Sequence, residues 1–409
     1  MRRALLGAAL AVVSLVVCGQ GAAAQASPVI GIGAQNVSMF ASPWFTGLHV
    51  GTVRLDLPWD AAESSGPWNA WLTDAHADGL EVLVALDHDS TSDCPTTSCD
   101  LVPLERYRSA LADLLGRYPF IREIEPWNEP NDSTEPTAGH PEAAAAYYDA
   151  ARAVCPSCTV IAGDFLDGPS LASYLGAYVA ALLDTPEVWG LHDYYDANYF
   201  ESGGIATMLA HTTGDLWLTE TGGLVQDGDL PYDEQRAAQS DQWIYDLAAA
   251  HDRIARVYFY GWLASTEPGS FDSGLLEPDG SPRPAYWTIR AHTNPGQKVP
   301  APTRASVATA HLSHRAATLQ RTRRIQLAIA CVGATGSTSC VGHVRITVYG
   351  HTVTARFTLA PGYGRKLHAR LAHTSFHTVW TERSPHVQLS ICTTTACGHT
   401  ARLPVNRKR

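Results

Sequence analysis

The sequence predicts a (β/α)8 barrel followed by a small all-β domain. Three observations carry this reading. Short apolar runs alternate with helical stretches, polar residues sit just past the ends of those runs, and the composition changes near residue 300. The runs are residues 29–32, 50–57, 80–86, 121–127, 159–162, 188–194, 216–220 and 256–260. They are short, bounded by turn residues and near-continuously apolar, as strands covered on both faces are. Residues 104–117, 141–154, 170–183 and 233–250 read as helices between them. Strand–helix alternation builds a parallel sheet, and eight such units in about 265 residues suit a closed barrel. A doubly wound sheet would want a glycine-rich phosphate turn. Gly31-Ile32-Gly33 is half of one, and Asn36 stands where the third glycine belongs.

At 409 residues with 45% hydrophobic content and 11 tryptophans, the chain has material for two packed cores. Arg2 and Arg3, an apolar stretch over 4–17 and small residues over 22–26 read as a secretory signal spanning 1–26. The apolar stretch is too short to span a bilayer, so no membrane association is expected once it is removed. The expected location is extracellular, with cell-wall association left open.

Of nine cysteines, Cys18 falls in the leader. The other eight form close pairs: Cys94 with Cys99, Cys155 with Cys158, Cys331 with Cys340, and Cys392 with Cys397. Local pairs in an exported chain read as disulfides that stiffen their own neighbourhoods. Cys155 and Cys158 have redox-motif spacing, but they follow a helix instead of opening one, which favours a structural bond.

Charge divides the chain. The whole carries −11, yet from residue 301 onward 15 Lys and Arg face the single Glu382, leaving about −25 on the remainder. The boundaries that follow are a barrel over 27–295, a Pro300- and Pro302-containing linker over 296–304, and a basic domain over 305–409. Alternating runs at 344–348 and 387–391 give the last a β-sandwich character. Its basic surface has two readings, adhesion to an anionic cell-wall polymer or a plain solvated face. No nucleic-acid recognition motif is present, so nucleic acid is not an expected partner.

Two strand ends carry the chemistry. Trp127-Asn128-Glu129-Pro130 closes the fourth run, and Leu218-Thr219-Glu220 closes the seventh. Two carboxylates so placed are the minimum equipment for breaking a glycosidic bond. Arg54, His88, His192 and Trp262 also lie at or near C-terminal strand ends, where barrels keep their functional groups. Asp87, His88 and Asp89 match no tight metal geometry, so neither metal nor cofactor is expected.

Over residues 29–292 the chain resembles the glycoside hydrolases of clan A, with families 5 and 39 nearest. Asn128-Glu129, Glu220 and the segment from Gly274 to Tyr286 carry the resemblance, with Arg283 where lysine is commoner. It implies a cofactor-free retaining glycosidase acting on a β-linked or arabinofuranosyl-type glycan. It further implies Glu129 as acid/base and Glu220 as nucleophile. Asn128 would bind the sugar 2-hydroxyl, and His192 with Tyr194 would form the strand-six pair. Arg54 would hold the nucleophile ionised, Trp262 would be a sugar platform, and His88 a strand-three histidine. Two rivals stand beside this. One is a carbohydrate- or wall-binding protein on an inactive barrel, in which one carboxylate would be displaced or paired away. The other is a transglycosylase using the same two glutamates.

Overall fold

The computed structural model describes residues 27–89, 100–228, 230, 232–267, 269–294, 309–312, 316–332, 340–359, 363–392 and 397–408. The expected signal, the linker and the Cys94–Cys99 loop lie outside them.

Strands β1 (Val29–Gly33), β2 (Thr52–Pro58), β3 (Glu81–Asp87), β4 (Glu123–Glu125), β5 (Thr159–Val160), β6 (Ala162–Leu166), β7 (Val188–His192), β8 (Asp215–Thr221) and β9 (Ile254–Tyr260) form one parallel sheet. Its order is β5-β4-β3-β2-β1-β9-β8-β7-β6. The two ends, β5 and β6, are one strand interrupted at Ile161, so the sheet closes on itself as an eight-membered barrel. Helices α1 (Pro43–Leu48), α2 (Trp68–Ala77), α3 (Leu104–Arg117), α4 (Pro141–Val154), α5 (Leu171–Ala181), α6 (Tyr194–Tyr199), α7 (Gly203–His211), α8 (Glu234–Ala250) and α9 (Pro284–Thr293) lie between and after the strands.

The period-two alternation of a strand sorts its side chains to two faces. On β2, Val53, Leu55 and Leu57 face the helix layer and join the main core, while Thr52, Arg54 and Asp56 alternate with them. On β3, Val82, Val84 and Leu86 belong to that core, and Leu83 packs in a separate small cluster with Ile161, Trp217 and Tyr258. That cluster is the lower plug of the barrel interior. It holds polar groups too. The Thr52 and Tyr258 hydroxyls are 2.9 Å apart. Arg256 pairs with Glu123 at 2.9 Å and lies over the Trp217 ring at 4.2 Å.

Beyond the barrel, β10 (Thr309–Leu312), β11 (Ala317–Gln320), β12 (Arg324–Val332), β13 (Cys340–Val348), β14 (His351–Leu359), β15 (Tyr363–Arg370), β16 (His386–Cys392) and β17 (Cys397–Lys408) make a second, mixed sheet. Its core is separate and includes Leu319, Ile325, Val344, Ile346, Phe357 and Leu389. A helix the sequence did not announce, α10 (His373–Thr381), packs Val379 onto it. Cys155–Cys158 and Cys331–Cys340 are bonded. Cys392 is also disulfide-bonded and stands opposite Cys397 in the β16–β17 register.

Gly31 shows how tightly the lower plug is filled. A Cβ there would come 2.5 Å from the Tyr258 ring and 2.9 Å from Thr52. Gly31→Ala is expected to destabilise the protein by about 1–3 kcal/mol in urea unfolding. The loss should shrink in a Tyr258→Leu background, where the ring is gone. An equal loss in both backgrounds would show that the ring is not the obstacle.

Candidate active site

Arg54 stands at the centre of the upper barrel, fully buried. Its Nε donates to Glu125 Oε2 at 2.7 Å and its Nη1 to Glu220 Oε2 at 2.6 Å. Its Nη2 donates to Asn128 Oδ1 at 2.8 Å and to Asp164 Oδ2 at 3.0 Å. Asp56 lies 2.8 Å from Nη1. Burial alone would favour loss of the guanidinium proton, but the carboxyls of Asp56, Glu125, Asp164 and Glu220 more than offset it and hold it well above its ordinary value.

Simple alternation would not bring all these acids inward. On β8, Leu216 and Leu218 face the helices and Trp217 faces the plug, so Glu220 should point outward with the leucines. Register shifts after Leu191 on β7 and between Leu218 and Thr221 on β8 reverse this. The same device acts on β6. Ile161 faces the plug, which would put Asp164 outside, but a register shift between Gly163 and Phe165 turns it in. Asp164 takes a φ of 73° there, a left-handed backbone rarely seen outside glycine.

The second carboxyl of the pair comes from the turn after β4. Trp127 is buried against Tyr147, its ring stacked at 5.1 Å. Asn128 N–H donates to Leu86 O at 2.7 Å, and Glu129 then turns with a φ of 42°. Asn131 ties this turn to β6, donating to Leu166 O at 2.9 Å and accepting from Leu166 N–H at 2.8 Å.

The two glutamates face each other. One carboxyl oxygen of Glu129, one of Glu220 and a ring nitrogen of His192 all lie within 4.8 Å of one another. Tyr194 OH donates to Glu220 Oε1 at 2.9 Å. His192, buried at the end of β7, places Nδ1 2.7 Å from Glu129 Oε1 and Nε2 2.8 Å from Asp164 Oδ1. Burial raises the Glu129 carboxyl above its ordinary value, and the bond from His192 opposes but does not cancel this. Burial would also raise Asp164, but the charges of His192 and Arg54 hold it well below the usual carboxylate range.

Six of the eight expected residues are therefore one connected network: Arg54, Asn128, Glu129, His192, Tyr194 and Glu220. His88 and Trp262 stand apart. His88 bonds Asp87 at 2.8 Å and lies 3.8 Å from Glu135, which in turn accepts from the Trp127 indole at 3.0 Å. Its hydrogen bonds to Asp87 and Glu135 push it up to about 10. The imidazolium therefore occupies this acidic corner as its own cation, and no metal is assigned there. At the Glu129–His192–Glu220 group His192 is bonded to Glu129 and Asp164, and Glu220 to Arg54 and Tyr194.

Trp262, the expected platform, is deeply set. It is only 2% exposed, and it meets Phe45 of α1 edge-on at 5.8 Å. The open aromatic at this mouth is Phe271, 41% exposed, which packs edge-on against Tyr194 at 5.2 Å. Phe271, Leu263, Gln35, Asn36 and Tyr260, with one side of Trp262, line a cavity of about 440 Å3. Tyr260 OH donates to Gln35 at 2.8 Å, and Gln35 donates onward to Asp56.

Sequence reasoning missed Asp164 and Glu125. The available signal was an acid inside an apolar stretch in each case: Gly163-Asp164-Phe165 beyond the assigned end of the fifth run, and Ile124-Glu125-Pro126 within the fourth.

Solved structures share this architecture at low identity. A GH39 β-xylosidase from Caulobacter crescentus aligns with a TM-score of 0.51 and 13% identity, covering 86% of this chain and 98% of that one. A GH39 enzyme from Xanthomonas axonopodis pv. citri gives 0.51 and 14%, covering 93% of each chain. An endo-β-1,4-mannanase from Thermotoga petrophila gives 0.50 and 13%, covering 93% of this chain and 98% of that one. No protein-family model matches the sequence, and no curated protein does. The structural neighbours include clan A hydrolases, family 39 among them, the group that the strand-end residues resemble. At these identities the likeness is one of fold: a (β/α)8 barrel carrying a C-terminal β domain.

The loop after Glu220 rests on a buried acid. Asp241 of α8 accepts from Gly223 N–H at 2.7 Å, its other oxygen has no hydrogen bond among the described residues, and burial pushes it up to about 7. The folded protein thus keeps a proton that the unfolded chain releases from about pH 4 upward. Asp241's contribution is fully present below about pH 4 and is lost as pH rises through about 7. Asp241→Asn should flatten this fall and raise the urea midpoint at pH 8 while leaving it near unchanged at pH 4. An unaltered pH slope would contradict the assignment.

Proposed function

We propose that the protein is a retaining glycoside hydrolase with Glu129 as acid/base and Glu220 as nucleophile. The observation that carries this is the facing pair of carboxyls within 4.8 Å, one braced by Arg54 and Tyr194 and the other by His192. Retaining enzymes hold their carboxyls about 5–5.5 Å apart, whereas inverting ones leave room for a water at about 6.5–9.5 Å. In the first step Glu220 attacks the anomeric carbon and the bond to the leaving oxygen breaks. The Glu129 proton passes to that oxygen. In the second step water attacks the same carbon, Glu129 takes a proton from it, and the ester to Glu220 breaks. A binding-only barrel would have one carboxylate displaced, and the paired geometry speaks against that. The cavity past the end of β9 offers Phe271 as a sugar-stacking face and Asn36 as a polar contact.

Export through the N-terminal signal is part of the same reading, and disulfide-bonded cysteines suit an oxidising compartment. Xylan and mannan are natural first substrates, given the xylosidase and mannanase among the structural neighbours.

Sugar release and product anomer over a glycan panel test the proposal. Glu220→Gln should abolish release. Glu129→Ala should slow substrates with poor leaving groups by about 10²–10⁴-fold and spare activated ones. A product of inverted configuration would overturn the retaining mechanism, and silence across the panel from folded wild type would overturn the enzyme.

We also infer that the C-terminal domain holds a polyanionic glycan. Lys366, His368 and Arg370 alternate outward along β15, and Arg370 stands directly opposite Arg324 on β12. Like charges in register destabilise a sheet, so an external anion would relieve them. None of these residues is in an ion pair among the described residues. The full chain should bind polygalacturonate at about 50 mM salt and release it well below about 1 M, as screened charges do. Arg324→Glu with Arg370→Glu should weaken binding and leave turnover of a small soluble substrate unchanged. Salt-independent binding would refute the electrostatic account.

A further inference from the structure

Asp164 is the anion no sequence pattern announced, yet every donor around it is spoken for. Its Oδ1 accepts from Thr219 Oγ1 and lies 2.8 Å from His192 Nε2, and its Oδ2 accepts from Arg54 Nη2 at 3.0 Å. Arg54 Nη2 also lies 3.3 Å from His192 Nε2. A carboxylate can only accept, so Nε2, 2.8 Å from Asp164 Oδ1, carries a hydrogen, and Arg54 Nη2 beside it is a co-donor to the same carboxylate. The other ring nitrogen, Nδ1, faces Glu129 Oε1 at 2.7 Å. Two protonation states of His192 are then possible, and they differ in consequence. A neutral ring would accept at Nδ1 and draw the Glu129 proton into an internal bond. An imidazolium donates at Nδ1 and cannot take it.

We propose that Asp164 acts as a positioning residue that keeps His192 a double donor, so that Glu129 Oε1 is reserved for His192 and Oε2 alone gives and takes the catalytic proton. The inference rests on the hydrolase reading above. In the first step the proton on Oε2 moves to the leaving oxygen, and the negative charge left on Glu129 is met by the Nδ1–H already in place. In the second step a proton from water returns to Oε2, while the Nδ1–H and Nε2–H protons stay where they are. Asp164 and His192 neither gain nor lose a proton over the cycle. The titratable groups around this pair are Arg54 from β2, Glu125 and Glu129 from β4 and its turn, Asp193 next in chain, and Glu220 from β8. Burial would strip the imidazolium of its proton, but Asp164 and Glu220 hold the ring well above its ordinary value.

The test is Asp164→Asn in the full chain, with Thr219→Val as a milder variant that keeps the carboxylate and removes one of its donors. Removing a buried anion must ease the loss of the first proton from the coupled His192–Glu129 pair. The alkaline limb of kcat/KM should therefore move down by about one pH unit or more in Asp164→Asn, and should not move down in Thr219→Val, which keeps the anion. The rate should fall most for substrates with poor leaving groups, which need the proton. Side-chain ¹⁵N spectra, assigned with His192→Asn, should show both His192 nitrogens protonated to above pH 8 in wild type and Thr219→Val, and a proton lost at lower pH in Asp164→Asn. Reduced activity with an unmoved limb and unchanged ¹⁵N shifts in Asp164→Asn would overturn the proposal, because a purely structural role predicts just that. If wild type cleaves no glycan, the hydrolase reading fails, and the ¹⁵N titration still decides whether Asp164 sets the protonation of His192.

Discussion

A single buried guanidinium organises the upper barrel. Five carboxyls (Asp56, Glu125, Glu129, Asp164 and Glu220) converge on a volume that contains two cationic side chains, Arg54 and His192. So much negative charge cannot be ionised together out of water. The site answers by division. Burial pushes the Asp56, Glu125 and Glu129 carboxyls upward, while His192 and Arg54 hold Asp164 down. Only a planar fork with five donors can serve Glu125, Glu220, Asn128 and Asp164 from one position, so lysine at residue 54 would leave acids unpaired. The layer beneath repeats the solution on a smaller scale, with Arg256 clamped to Glu123 over Trp217. The barrel is therefore polar along its axis and apolar on its outer face, and its stability and its chemistry draw on the same ion pairs.

What could be read from the sequence follows from locality. The eight strands and the four named helices were legible because each is a local pattern of apolar residues between turn signals. Glu129, His192 and Glu220 were legible because a strand end in a barrel is a position that can be counted, whereas Arg54, expected near the end of its strand, sits early in β2 and reaches the site through the length of its side chain. Asp164 was not, because its inward direction depends on a register shift. A strand that keeps period two would have sent it to the helix layer, and nothing in Gly163-Asp164-Phe165 says where the ladder slips. The depth at which Trp262 sits was not legible, for the opposite reason. Its position at a strand end was correct, but its exposure is decided by Phe45, which the fold brings from more than two hundred residues away. The helix α10 within the β domain belongs to the same class, since Val379 earns its place only against a core assembled from distant strands.

The division of strand five into β5 and β6 has a structural logic that joins these points. β4 pairs with β5 only as far as Ile124 and Val160, and then Ile161 N–H reaches back to Ile124 O. Past that point the two strands part, which would leave a gap in the barrel wall between Glu129 and Asp164. The Asn131 side chain closes it. Its amide donates to Leu166 O and accepts from Leu166 N–H, in the pattern one residue of a neighbouring strand would use. A side chain standing in for backbone lets the chain after β4 turn early, with Glu129 in a left-handed conformation, and lets β6 bulge with Asp164 in another. Both acids occupy backbone states that a regular ladder would forbid, and both are held there by hydrogen bonds from outside their own strands. The irregularity at this seam falls where His192 has to reach both carboxyls at once, and the register shifts of β7 and β8 continue it on the side of Glu220. A seam of ordinary pairing would keep Asp164 in the helix layer and leave the buried imidazole without its counter-anion.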